Sequence, residues 1–226
     1  MNQLRAQAEK LREAGYSYAM IRERLGVSLG TMSYWFKDKP FTPNQEVLDR
    51  IKLGTGIEGV RRHNKRVKEI DELRQKGIAE LGVLSKRDLW LLGIGLYIGE
   101  GSKTTEAIRI VNSDPAVIQL AIRWLKDVCG LDDENLTMSL HLYPDNDIEI
   151  SKDYWRKVTG LPLANFRWVS IDKRDNKRRV AKGKLPFGTA HITVRANGDP
   201  EKGVKLFRKI NGWIAGALKS GIINEV

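Results

Sequence analysis

Apolar positions recur every three or four residues through the first third of the chain and alternate with polar ones in several later segments. An all-helical region is therefore predicted to precede a mixed one. "LRAQAEKLREAG" places Leu4, Ala8 and Leu11 on one helical face and stops at Gly15. "SYAMIRERLGVSLGTMSYWFKDKP" predicts a short helix from Ser17, a turn at Gly26 and Val27, and a second helix from Ser28 to about Phe36. Ser17 and Ser28 are suited to accept hydrogen bonds from the free amides of the turns they open. Pro40 and Pro43 punctuate the end. From Asn44 to about Leu84 the chain is polar and helical in pattern, with an imperfect stripe of Val60, Val67, Ile70, Leu73 and Ile78. It is either a linker helix packed on a neighbour or a semi-rigid spacer. Arg61, Arg62, Lys65 and Arg66 either meet phosphates there or form a solvated face.

From Ser85 the pattern is mixed. A helix runs from Ser85 or Asp88 to about Gly99, and "AIRIVNS" alternates like a strand. "DPAVIQLAIRWLKDVCG" is an amphipathic helix with Asp114 ahead of Pro115 and Gly130 at its close. "NLTMSLHLYP", "NFRWVSI" and "GTAHITVRA" read as strands, and "DIEISKDYWRKVTG" ends in a short helix from Ser151. "EKGVKLFRKINGWIAGALKS" is a terminal helix. The fold class expected is α+β, with helices segregated from a sheet. The divisions are residues 1–40, a helical linker over 41–84, and 85–226. Trp124, Trp155, Trp168 and Trp213 are assigned to the core. His141 and His191 are each expected to be packed or to face nucleic acid and not to ligate zinc, since neither has a second metal ligand at suitable spacing.

The chain has 226 residues, 41% of them hydrophobic, enough for one sizeable core and a small module. Its net charge of +11 favours a polyanionic partner, nucleic acid before membrane. Cys129 is the single cysteine, which excludes an intramolecular disulfide and a cysteine-rich zinc site. "MNQLRAQAEKLREAGYS" is too polar for a signal peptide, and no apolar run reaches the roughly 20 residues of a membrane span. A soluble, cytoplasmic protein without a membrane partner is expected. The last two strands flank "DKRDNKRRVAKGK", where Lys173, Arg174, Lys177, Arg178, Arg179, Lys182 and Lys184 outnumber Asp172 and Asp175. Such density favours phosphate contact over a merely solvated loop.

The first two short helices and their turn form a helix-turn-helix pattern, with Leu11, Ile21, Leu25 and Val27 closing a small core. Ser28, Leu29, Thr31, Met32 and Tyr34 fall on the start and sides of the second helix, where side chains approach base edges. A helical hairpin for protein contact is the other reading. "GYSYAMIRERLGVSLGTMSYWFKD" resembles the helix-turn-helix of resolvase-type and regulatory DNA-binding proteins through Gly15, Tyr16, Ser17, Ile21, Leu25, Gly26, Val27, Ser28 and Thr31. Arg22 and Met32 depart from that pattern.

"LLGIGLYIGEGSKT", Leu91 to Thr104, carries several glycines although each costs a helix about 1 kcal/mol relative to alanine. A dinucleotide loop fails because Gly99 comes one residue late after Gly93 and Gly95, and a triphosphate loop fails because Ser102 stands where its lysine belongs. No nucleotide cofactor is expected. As a helix, the stretch puts Leu92, Gly95 and Gly99 on one face, bare enough for another helix to approach closely. A second copy packed there by two-fold symmetry would bring two Glu100 carboxylates together at the negative ends of two helices. A divalent cation such as magnesium would relieve that.

Gly93 to Gly101 resembles the signature helix of the LAGLIDADG homing endonucleases, Gly95 and Leu96 matching its central pair, Gly99 its small residue and Glu100 its metal-binding acid. The likeness spans roughly Ser85 to Lys219. It implies an antiparallel saddle sheet with packed helices lying in the major groove of double-stranded DNA. It also implies a homodimer joined through the signature helix, and a Mg2+ ion at Glu100 for double-strand cleavage. Lys103, Arg109 and Lys173 become candidates to stabilise charge on the scissile phosphate, and Arg109 also a DNA contact. "GWIAGALKSG" echoes the spacing without the carboxylate. Glutamate stands where aspartate is commoner. Some relatives keep this fold as regulators that do not cut, so a non-cleaving transcription regulator is the alternative.

Overall fold

A computed structural model describes residues 2–51, 55–103, 105–172 and 185–221. Contacts divide the chain into two units, Met1–Val83 and Leu84–Val226.

The first unit is helical: α1 (Asn2–Glu13), α2 (Tyr18–Leu25), α3 (Leu29–Phe36), α4 (Gln45–Arg50) and α5 (Thr55–Leu81). Ser17 and Ser28 open α2 and α3 as N-caps, each accepting a backbone N–H three residues on, from Met20 and Thr31. Ala8, Ile21, Val27, Met32 and Phe36 fill the small core between the first three helices. Residues expected in the linker take part in packing. Phe41 and Val47 bury with Met20, and Val60 of α5 lies against them. The Asn64 side chain holds both backbone groups of Phe41, accepting its N–H at 2.7 Å and donating to its carbonyl at 2.8 Å. Gly15, at φ +81°, admits the chain that returns here, since a Cβ would lie 2.6 Å from the Asn44 nitrogen. Beyond Val67, every residue of α5 is exposed.

The second unit runs α6 (Lys86–Glu100), β1 (Arg109–Asn112), α7 (Pro115–Asp127), β2 (Leu136–Leu142), α8 (Ile148–Thr159), β3 (Phe166–Ile171), β4 (Thr189–Val194) and α9 (Val204–Gly221). This is a mixed α+β arrangement with one four-stranded sheet in the order β1-β4-β2-β3. β4 is antiparallel to both β1 and β2. β3, however, is parallel to β2, so the all-antiparallel sheet expected is corrected. A hairpin turn cannot join parallel neighbours, and α8 supplies the crossover that returns the chain to the same end. α8 is also longer than the short helix expected from Ser151: it begins at Ile148, capped by Asp147, which accepts the Ile150 N–H at 2.9 Å.

β2 alternates perfectly, burying Leu136, Met138, Leu140 and Leu142. With Ile110, Ala190 and Ile192 these side chains form the sheet's half of the core, and Leu89, Tyr97, Trp124, Leu125, Trp155 and Ile210 form the helical half. Trp124 and Trp155 are fully buried and Trp213 partly so, but Trp168 is 72% exposed on β3, which corrects its assignment to the core. Its strand is the sheet's edge, and Trp168 pairs with Ser139 on the face away from that core.

α6 begins with a capping box between Ser85 and Asp88. It buries Leu89, Gly93, Ile94 and Tyr97. Gly93 has a specific cause. A Cβ there would lie 1.9 to 2.1 Å from the indole ring of Trp124. At Gly95 and Gly99 a Cβ would meet no atom within 4 Å. Gly93→Ala is therefore expected to destabilise the protein by about 3 kcal/mol, because a buried ring cannot yield. Gly95→Ala should instead leave the monomer's stability unchanged or raise it by up to about 1 kcal/mol. Denaturant unfolding of the two variants at low concentration checks this contrast.

Candidate nucleic-acid interface

The sheet face opposite the core is polar and built in rows by strand register. Arg109, Thr193 and Thr137 form one row across β1, β4 and β2, and Val111, His191, Ser139 and Trp168 form the next, reaching β3. Thr189, His141 and Ser170 form a third. A cleft of about 430 Å³ opens along this face, and its lining includes Arg109, Arg167, Trp168, His191 and Arg195 but no carboxylate. Among the described residues, none of these three arginines forms an ion pair with an acid. The cleft therefore carries uncompensated positive charge beside hydroxyl donors and acceptors, which suits phosphates and base edges.

Hydrogen bonds set the side chains on this face. The Arg109 Nε donates to Thr193 Oγ1 at 3.3 Å, and Thr137 Oγ1 donates to the Thr193 carbonyl at 3.0 Å. His141 shares a 3.0 Å hydrogen bond with Ser170 Oγ through Nδ1, while its Nε2 lies 3.6 Å from the buried carboxylate of Asp172. The rings of His141 and His191 are 6.4 Å apart. Burial lowers the pKa of His191, and the nearby charges of His141 and Arg109 lower it further.

Glu100 is the last residue of α6, exposed, and without an ion pair or side-chain hydrogen bond among the described residues. The chain then turns directly onto β1: Gly101 bridges Ile110, and the Ser102 N–H donates to the Arg109 carbonyl at 2.9 Å. Tyr97 holds this turn by donating its hydroxyl to the Ser102 carbonyl at 3.0 Å. Gly101 is required there, because a Cβ would lie 2.5 Å from the Tyr97 carbonyl oxygen. The sequence candidates Glu100, Lys103 and Arg109 are thereby brought to one corner of the sheet, with Lys103 donating to the Gly101 carbonyl at 3.2 Å. Leu92, Gly95 and Gly99 share the outward face of α6, with Leu91 beside them; Leu91 and Leu92 are exposed. Among the described residues no group of three or more His, Cys, Asp or Glu side chains is placed to hold a metal ion. Burial pushes the Cys129 thiol up to about 12, which favours its protonated form.

In the first unit, Leu29 and Tyr34 are exposed on α3 as expected. Met32 is not available: it is fully buried in the small core, so its assignment as a contact residue is corrected. Met32 lies four positions before the buried Phe36, on the helix face that packs with Ile21 and Val27. Ser28 and Thr31 are partly committed to the cap, their hydroxyls 2.8 Å apart. The outward surface of α3 also includes Gly30, Ser33 and Lys37 at its C-cap. Lys173, Arg174, Lys177, Arg178, Arg179, Lys182 and Lys184 lie outside the described residues. Thr137, Ser139, Arg167, Trp168, Thr193 and Arg195 escaped the sequence reading. The alternation in "LTMSLHL" identifies the first two, but the rows into which they fall depend on pairing between distant strands.

No helix among the described residues is long and apolar enough to cross a membrane. Comparisons with protein-family models, with curated proteins and with solved structures find no match.

The lowered pKa of His191 has a consequence for stability. The unfolded chain takes up this proton first, so stability is complete above the ordinary value of 6.5 and falls as pH drops below it. His191→Gln is expected to flatten this loss. Melting temperatures from pH 8 to pH 5 should converge less steeply toward acid in the variant than in the wild-type protein.

Proposed function

We propose that this protein is a sequence-specific DNA-binding protein that acts as a homodimer and cuts both strands with a divalent metal, in the manner of the LAGLIDADG homing endonucleases it resembles. The observation that carries this reading is the two-sided character of α6. Its inward glycine, Gly93, is accounted for by Trp124, whereas a Cβ at Gly95 or Gly99 would meet no atom within 4 Å, and Glu100, which has no ion pair among the described residues, follows at once. None of the described residues of the unit requires those two positions to be bare. A second copy of the helix does require it, because close backbone approach needs small residues at four-residue spacing.

Two Glu100 carboxylates set side by side at helix carboxyl ends repel each other and the helix dipoles. Their oxygens are the donor type magnesium accepts, so the pair would hold the ion. The metal, when bound, supplies a Lewis acid and an activated water for phosphodiester hydrolysis. The chain's own residues do the rest. Pairing through α6 would set the two open sheet faces side by side along one duplex. Arg109 and Lys103, at the corner beside Glu100, would meet the negative charge that develops on the phosphate. Arg167 and Arg195 would hold the backbone in register, while Thr137, Ser139, His191 and Thr193 face base edges. Leu29, Ser33 and Tyr34 of α3 extend the recognised sequence through a helix-turn-helix contact.

Incubation with magnesium and a DNA library is expected to yield double-strand breaks at a roughly two-fold symmetric sequence. Glu100→Gln should slow cleavage at least about a hundredfold, or ~2.7 kcal/mol of barrier, while DNA affinity stays within about twofold. Binding without nicking, indifferent to magnesium and to Glu100→Gln, would instead assign the protein to the non-cleaving regulators.

A further inference from the structure

Trp168 has no structural duty that its exposure would serve. It stands 72% exposed on an edge strand, away from the core that holds Trp124 and Trp155. Its register partner on β2 is Ser139, too short to cover an indole. Trp168 and Arg167 both line the open-face cleft, and both also line the smaller cleft between β3 and α8. A large apolar ring is thus presented beside a guanidinium that forms no ion pair among the described residues, at the margin of a cleft whose lining holds no carboxylate.

The open-face cleft that Trp168 lines carries positive charge from Arg109, Arg167 and Arg195 among the described residues, which matches a polyanion, while Glu149 on the α8 side is paired with Lys152 at 2.9 Å. Within an intact duplex, bases offer only their edges to a groove. The face of a base becomes available when it leaves the stack, and an aromatic ring is then its natural resting surface. We infer that Trp168 is a stacking platform for a DNA base displaced from the duplex, with Arg167 holding the adjoining phosphate. This rests on the reading that the open sheet face meets DNA, and it adds a preference for DNA that is already distorted or unpaired at the contacted step. Such a preference arises because a mismatch lowers the cost of unstacking the base.

Fluorescence anisotropy of the full-length protein at low salt, with EDTA present, tests this. The probes are a 30-base-pair duplex, the same duplex with one central mismatch, and its single strand. Wild-type protein should bind the mismatched duplex more tightly than the paired one. Trp168→Ala should weaken binding to the mismatched duplex about tenfold and leave the paired duplex within about twofold. Trp168→Phe should retain most of the preference. With 2-aminopurine at the unpaired position, binding should quench its emission for wild type and Trp168→Phe but not for Trp168→Ala. Equal loss on paired and mismatched duplexes, or no loss on either, overturns the stacking role while leaving DNA binding intact. Failure of the wild-type protein to bind any probe overturns the DNA reading itself, and this inference with it. A melting temperature unchanged in Trp168→Ala confirms that the comparison is between folded proteins.

Discussion

The contact on which the second unit depends is the one between the Trp124 ring and the bare backbone of Gly93. With no side chain between them, α6 settles onto α7 closely enough for the indole to be fully buried, and the helix's rotation about its own axis is fixed. That rotation decides everything else on α6. Leu89, Ile94 and Tyr97 enter the core, and Leu92, Gly95 and Gly99 are turned outward. Tyr97 then captures the Ser102 carbonyl and bends the chain onto β1, so that the exposed Glu100 sits one residue before the bridge to Ile110. One packing constraint therefore links the proposed dimer seam, the acidic residue and the open sheet face.

The sheet answers a second constraint. Strands half-buried on one face must present their other residues to water, and here those residues are threonine, serine, histidine, arginine, one valine and one tryptophan. Because the register is set by the buried face, the polar rows are rigidly spaced by the hydrophobic ones. A surface held this way is suited to reading a regular polymer, since its contact groups cannot drift relative to one another.

Much of this was legible in the sequence because it depends on local chemistry. The caps Ser17, Ser28, Ser85, Asp114 and the alternation of β2 all arise from neighbours within a few residues. The parallel placement of β3 was not legible, since strand direction depends on how α8 crosses the sheet. Trp168 illustrates the same limit: its composition argues for burial, and only the identity of the covered face places it outside. Met32 shows the reverse case, a residue placed by proximity on a recognition helix but rotated by 3.6-residue periodicity into the core. Gly93 and Gly95 are two positions apart and look equivalent in the sequence. They face opposite environments, and only the position of Trp124 tells them apart.

On the proposed function, the outward face of α6 is a symmetric seam between two copies of the chain. Disulfide trapping tests it most directly. In a Cys129→Ser background, Leu92→Cys should give a covalent dimer on mild oxidation, because it lies on the same face as Gly95 and Gly99 and leaves both glycines intact. A control cysteine at the exposed Arg123 of α7 should not. A Leu92→Cys protein that remains monomeric under the same oxidation, alone and with DNA present, would contradict the seam.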